Sequence, residues 1–429
     1  MTPLVGRARM AYRIGALNRR APPMYRLLAV LFVLTQAGTA YCADRLAVFD
    51  EAARITAEQF FDPGMNGVDW DAAVTAHRTA VTPGMEREAV AAEVNALLAC
   101  LTTSHTRLYT QDDPAWYQLA GVFLHGSEEI AAALAPFLPD GAPIYAGIGV
   151  MTEARDDGLF VTGVLQGHPA EAAGVVVGDR LVAVNGAPYH PIQSFAGRVG
   201  TEVTLTLERT PGEYRDLVVT PARLDGVTMF EDAMRASARV IEHAGTRVGY
   251  VRIWSYAGRK YQDILVGEVL YGRLKEADAL VLDLRGGWGG ASPEYLTLFP
   301  DRAMDMTRIG RDGTAFTVAS GWTKPVVLLV DDGSRSGKEL IAHGFRALGI
   351  GPIVGETTAG AVLAGRLNVL SDGSLLYVAV MDVRVDGARL EGVGVAPDIA
   401  VPFDPPFAAG ADPQRDRAVE EAVRLAGGG

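Results

Sequence analysis

The stretch DDGSRSGKE at 331–339 presents two hydroxyls, Ser334 and Ser336, between an apolar run, PVVLLV at 325–330, and a helix-like run, LIAHGFRAL at 340–348. A strand that ends in a small-residue turn and opens a helix can hold a side-chain oxygen at the sheet's edge beside backbone N–H groups, as acyl transfer by a serine requires. The same pattern also makes an ordinary helix cap. Two further Gly-interrupted turns follow strand-like runs, DLRGGWGG at 283–290 and GETTAGAVLAG at 355–365. Glycine lets backbone approach a ligand closely and leaves N–H groups unhindered, although one such loop alone is more often a flexible turn.

The elements that must carry these turns alternate after about residue 225. VGYVRIW at 248–254, ALVLDLR at 279–285, PVVLLVDD at 325–332 and GPIVGETTAG at 351–360 read as strands with helical stretches between them. That pattern predicts an α/β domain with a partly parallel sheet, and such sheets place sites at the C-terminal ends of their strands. Residues 44–140 are helical in pattern, as in AVAAEVNALLACL at 89–101, up to a Pro/Gly/Asp cluster at 138–143. Short alternating apolar runs follow at 144–154, 159–165, 179–186 and 201–209, the signature of a small β-rich module.

Composition narrows the partners. The 429 residues are 49% hydrophobic, enough for two or three packed domains. Lys plus Arg number 39 against 51 Asp plus Glu, and no basic stripe stands out, which argues against nucleic acid. Seven His and two Cys show no metal-ligand spacing, and Asp332 stands where a Walker A loop needs its leading Gly, so no metal or nucleotide cofactor is implied. At the N-terminus, arginines up to Arg26 precede the apolar LLAVLFVL at 27–34 and small residues at 38–40, the layout of a signal peptide over 1–43. The apolar run falls short of the ~20 residues of a bilayer span, so membrane attachment is expected only through an uncleaved signal segment. With only Cys42 and Cys100, packing and not a disulfide framework must hold the exported chain.

Two resemblances follow from these motifs. GHPAEAAGVVVGDRLVAVNG at 167–186 resembles a PDZ domain, expected over 143–224, in which Gly147, Ile148, Gly149 and Val150 would capture a peptide end or strand by backbone groups. The order of PDZ module, D-L-R-x-x-x-G-G, G-S-x-S-x-x-E and G-E-x-T-x-G resembles the S41 peptidases, the C-terminal processing and tricorn-type serine proteases. This resemblance implies a multidomain α/β fold: an N-terminal helical segment, the PDZ module, and a ClpP/crotonase-like catalytic core over 225–429. It implies Ser336 as nucleophile.

In the C-terminal processing branch the base is a Lys after the G-E-x-T-x-G turn, but that position here is Ala361. Lys338, two residues from Ser336, does not share its helix face and reads as a solvated residue. The block LLACLTTSHTRLYT at 97–110 resembles the tricorn branch, which implies His105 as base, Ser104 as relay and Glu391, from RLEGVGVAPDI at 389–399, as the group that orients it. His343 lies two helical turns beyond Ser336. The N–H of Gly337 is the natural first oxyanion donor, and Gly289 is expected as the second, with Gly286, Gly287 and Gly290 as alternatives; Trp288 departs from the family's usual Pro or Gly. The implied function is an exported endopeptidase acting on polypeptides. Two other classes share the scaffold: a peptide binder that lost its chemistry with the Lys, and a different acyl transferase.

Overall fold

A computed structural model describes residues 45–428. The expected signal peptide lies outside the described residues. Its centre is a six-stranded sheet ordered Arg239–His243, Thr246–Arg252, Ala279–Asp283, Val326–Val330, Ile353–Gly355 and Ile399–Ala400. The first pair is antiparallel and the remaining pairs are parallel. The apolar runs are continuous because both faces are covered, and the two-residue period of a strand sorts the side chains. Leu280, Leu282, Val326, Leu328 and Val330 join the core with Ile341 and Phe345 of helix Gly337–Ala347. Ala279, Val281, Val327 and Leu329 face the opposite core, against Ala418 and Ala422 of helix Pro413–Gly427.

The N-terminal region is not helical throughout. After helices Arg45–Gln59, Trp70–Arg78 and Arg87–Ala99 comes a short strand, Arg107–Tyr109, antiparallel to Leu375–Met381 in a three-stranded sheet. Asn95 on the preceding helix pins it by accepting from the Leu108 N–H at 2.8 Å and donating to the Leu108 carbonyl at 3.0 Å. A three-residue strand carries too little local signal to be read as one, and pairing over some 270 residues decides it.

The β-rich module is a sheet in which Val150–Arg155 forms one edge, followed by Gly158–Val164, Arg180–Val184, Val203–Thr210 and Glu213–Val219. Its Ile144–Gly147 segment pairs separately with Ala222–Asp225. The chain returns to it near the C-terminus, where Phe407 donates to Gly178 and stacks edge-on against Phe160 at 5.0 Å. Trp254, two residues past the second core strand, presses against Gly163 and donates through Nε1 to Gln166 at 2.8 Å. No helix among the described residues is long and apolar enough to cross a membrane.

One buried ion cluster ties the last helix to the sheet. Arg285 donates to Asp283 at 2.8 and 3.0 Å, to Asp412 at 2.7 and 2.9 Å, and to Gln414 at 3.1 Å. Burial alone would raise the Asp283 and Asp412 carboxyls, but the arginine charge and its hydrogen bonds outweigh it and hold both below the usual range. Removing one partner of a buried pair strands the other's charge. We expect Arg285→Ala to lose about 3–5 kcal/mol of unfolding free energy in urea titrations at neutral pH. A loss below about 1 kcal/mol would show that the cluster is not holding the helix.

Candidate active site

Both serines of the DDGSRSGKE stretch sit in the turn between Val326–Val330 and Gly337–Ala347, and the structure separates their roles. Ser334 is fully buried; its hydroxyl lies 3.0 Å from the Leu284 carbonyl and from Asp331 Oδ1, and it accepts from the Asp331 N–H at 3.1 Å. It is committed to shaping the turn. Ser336 stands at φ 58°, ψ −127°, a conformation that costs a residue with a Cβ on the order of 1–3 kcal/mol and lifts its side chain out of the turn. Its hydroxyl donates to no acceptor among the described residues, and the Glu339 N–H faces its oxygen in a capping box.

The elbow is held from below by Glu339, which is fully buried. Its carboxylate accepts from the Ser336 N–H at 3.2 Å, the Thr358 hydroxyl at 2.6 Å, and the N–H groups of Gly360 and Ala361 at 2.8 and 2.7 Å. Burial pushes its carboxyl up against those hydrogen bonds. Ala361 closes the loop with its carbonyl, which accepts from Ser336 N–H at 2.8 Å.

The next residues of that loop bind Glu391. Its Oε2 accepts from Val362 N–H at 2.8 Å and from the Ser104 hydroxyl at 2.9 Å, while Oε1 accepts from Ser104 N–H at 3.0 Å. Ser104 Oγ is also 2.9 Å from His105 Nδ1. A hydroxyl has one hydrogen, and the carboxylate only accepts, so Oγ–H belongs to Glu391 and Nδ1–H must donate to Oγ. Nε2 is left with its lone pair. His105 itself is at φ 54°, just before strand Arg107–Tyr109, with its ring 5.5 Å from that of Tyr377. Burial pulls its pKa down to about 4, Glu391 opposes this, and Arg335, the residue before Ser336, adds to it. Nε2 and Ser336 Oγ make no hydrogen bond here; such contacts often tighten only when substrate binds.

His343 is turned elsewhere, with Nε2 3.0 Å from Asp386 Oδ2.

The glycine turn abuts Ser336. A Cβ on Gly289 would fall 2.5 Å from Ser336 Cβ and 2.9 Å from the Gly337 nitrogen, so only glycine fits. The Gly286 N–H is committed to Asp331 at 2.8 Å and the Trp288 N–H to the Trp254 carbonyl at 2.8 Å. Gly289 and Gly290 donate to no described group, and neither has lost its N–H to the turn's own bonding. Trp288 points away, donating through Nε1 to Gln118 at 2.8 Å and packing against Tyr109.

Lys338 corrects the sequence reading. It is fully buried, not solvated, and its Nζ donates to the Gly286 carbonyl at 2.6 Å and the Trp254 carbonyl at 3.3 Å. Its stem runs beneath the glycine turn, which a helical position opposite Ser336 makes possible. Burial drives its pKa down to about 7. No periodicity rule flags a lysine in a polar first turn as buried; the carbonyls that receive it come from two distant strands.

In the β-rich module, Gly147 ends its strand, Ile148 is core, and Val150 opens the edge strand. Gly149 is at φ 80° with its Cβ position filled by His168, and the carbonyls of Ile148 and Gly149 accept from Ala170 and Leu165. The Ile148 and Gly149 N–H groups have no partner among the described residues.

Comparison with known proteins agrees with this layout. The Peptidase family S41 model matches residues 247–401, a PDZ domain model matches 160–209, and the Tricorn protease C1 domain model matches 42–90. A putative tricorn protease homolog 2 of Streptomyces coelicolor is 28% identical over 407 residues, covering 88% of this chain and 32% of its own length. The chloroplastic carboxyl-terminal-processing peptidase 3 of Arabidopsis thaliana is 27% identical over 401 residues, covering 88% and 73%. This chain thus spans about a third of the tricorn relative. The crystal structure of the tricorn protease shares the fold, with a TM-score of 0.52 at 16% identity, covering 90% of this chain and 37% of that one.

The Lys338 environment has a measurable signature. Between about pH 7 and 10 the unfolded chain keeps a proton that the folded chain has released, so stability rises with pH there, by at most about 1.4 kcal/mol per unit. We expect urea titrations at pH 7 and 9 to show that rise in the natural protein but not in Lys338→Met, the other titrating groups cancelling between the two. Parallel behaviour would mean that Lys338 stays charged in the fold.

Proposed function

We propose that this chain, a serine peptidase of the S41 type carrying a PDZ domain, is an exported endopeptidase in which Ser336 is the nucleophile and His105 the base, with Ser104 and Glu391 orienting it. The observation that carries the reading is the unbroken hydrogen-bond line from Glu391 through Ser104 to His105 Nδ1, which fixes the tautomer whose Nε2 can accept a proton. In this scheme Ser336 Oγ attacks the scissile carbonyl while its proton passes to Nε2. Glu391 stabilises the imidazolium through the Ser104 hydroxyl. The developing oxyanion is received by the N–H groups of Gly337 and Gly289, each such donor being worth on the order of 3 kcal/mol in rate. Nε2 then returns the proton to the leaving amine, and water releases the acyl group.

Polypeptide is the substrate class that a PDZ domain joined to a peptidase core supports. The unpaired edge of Val150–Arg155 offers main-chain groups to an extended segment, and the free N–H groups of Ile148 and Gly149 would receive its end, beside Gly147 and Val150. Export rests on the arginine-rich and apolar layout of residues 1–43. A silent peptide binder would have no use for a strained serine or for a histidine held in one tautomer.

Cleavage of casein by the mature chain tests the scheme. Ser336→Ala and His105→Ala should each lower the rate by at least about 1,000-fold with the fold intact. Ser104→Ala, which removes one hydrogen bond to a charged partner, should cost about 10–100-fold. Because protonated His105 cannot act as base, activity should fall only as pH drops through about 4, well below an ordinary histidine's range. Full activity in His105→Ala would discard this base, and no cleavage by the natural protein would discard the enzyme.

A further inference from the structure

A cavity of about 810 Å³ lies between the edge strand Val150–Arg155 and the glycine turn, lined among others by Met151, Arg252, Trp254, Trp288 and Arg335. It therefore connects the PDZ edge to the residue that precedes Ser336. Two buried arginines stand at its floor, and they differ. Arg285 spends its donors on Asp283, Asp412 and Gln414. Arg252, at the end of strand Thr246–Arg252 and 8% exposed, has a guanidinium that donates to no group among the described residues.

The Arg252 guanidinium carbon lies over the Trp254 ring, 3.6 Å from its centroid. Its Nε is sealed and unpartnered, and Asp283 Oδ2 at 4.0 Å is beyond hydrogen-bond reach. That carboxylate is already taken by Arg285 and by the Tyr250 hydroxyl at 2.7 Å. A guanidinium has five donors in a planar fork; here Nε alone is sealed, and the terminal N–H groups are left for whatever acceptor, water or ligand, occupies the cavity. Arg239 and Arg335, which also line the cavity, donate only to backbone carbonyls.

We propose that Arg252 is the anion-binding residue of this cavity and that its ligand is a carboxylate of the bound polypeptide, either an acidic side chain or the chain's terminal group. The planar fork fits a carboxylate bidentately, and the contact with the Trp254 ring holds the guanidinium in place in advance. A segment added along Val150–Arg155 on its way to Ser336 borders this cavity. The proposal rests on the peptidase reading for the identity of its ligand.

The test uses the full mature chain carrying Ser336→Ala, so that binding is read without cleavage. Fluorescence anisotropy would compare matched unstructured peptides, Glu against Gln at single positions and free against amidated C-termini. Loss of the relevant carboxylate should weaken binding about 10–100-fold. A Glu/Gln difference assigns the site to a side chain, and an acid/amide difference assigns it to the terminus. The discrimination should vanish on adding Arg252→Gln and survive in part with Arg252→Lys, thermal melts establishing that each is folded. Equal affinity across every matched pair, binding of no peptide, or discrimination that persists in folded Arg252→Gln overturns the proposal. If Arg252→Gln does not fold, the matched pairs and Arg252→Lys decide: equal affinities, or the same discrimination undiminished by Lys, overturn it. Discrimination by a protein whose Ser336 form cleaves nothing would keep the anion site and remove the peptidase.

Discussion

Everything at the site depends on one loop, residues 358–363, being gripped by two carboxylates from different directions. Glu339 takes the hydroxyl of Thr358 and the N–H groups of Gly360 and Ala361, and Glu391 takes that of Val362. Each carboxylate then uses its remaining acceptor capacity on a functional segment: Glu339 on Ser336 N–H, Glu391 on Ser104. A buried carboxylate short of donors is costly, so every bond in this set is enforced by the others. Segments more than 200 residues apart are thereby brought to one short stretch of backbone.

The glycine turn is suspended in the same manner but by cationic and aromatic groups. Lys338 holds the Gly286 carbonyl from inside the helix that follows Ser336, Asp331 holds the Gly286 N–H, and the Trp254 carbonyl takes both Lys338 and the Trp288 N–H. The side chains of the two tryptophans reach outward, Trp254 to Gln166 and Trp288 to Gln118. The turn is thus set by contacts to the β-rich module and to the N-terminal region together, and the three parts are not beads on a string. A core cut out at residue 225 would lose His105, the strand that places it, and both outer anchors of the turn.

How much of this was legible in sequence follows from where the deciding interactions lie. The buried parallel strands announce themselves as unbroken apolar runs, and Ser336, Gly289 and the 355–365 turn stand at their ends, because these are local patterns. Strand Arg107–Tyr109 is three residues long and exists by pairing with 375–377, which no window contains. Lys338 looks like a surface residue until Gly286 and Trp254 bring their carbonyls to it. Ser334 and Ser336 look equivalent in the string, and only the acceptors at Leu284 and Asp331 separate the hydroxyl whose proton is committed from the one whose proton is not. Glu391 is marked only by the likeness of the 389–399 block, and its bonds to Ser104 and Val362 leave no trace in the string.

The alanine at 361 bears on why the proposed base is a histidine and not a lysine. Both backbone polar groups of Ala361 are committed, the N–H to Glu339 and the carbonyl to Ser336, so the position acts as a strap under the nucleophile. A lysine side chain added there would bring a further cation into the loop that straps Ser336, which follows Arg335 in sequence. Like charges in a poorly solvated site raise the cost of each, and a neutral imidazole adds none until it takes a proton. The lysine of this chain lies instead beneath the glycine turn, where its Nζ donates to two carbonyls. In the proposed scheme the proton acceptor is drawn from the N-terminal region and kept neutral by burial, and Glu391, reached through Ser104, would balance the charge once it forms.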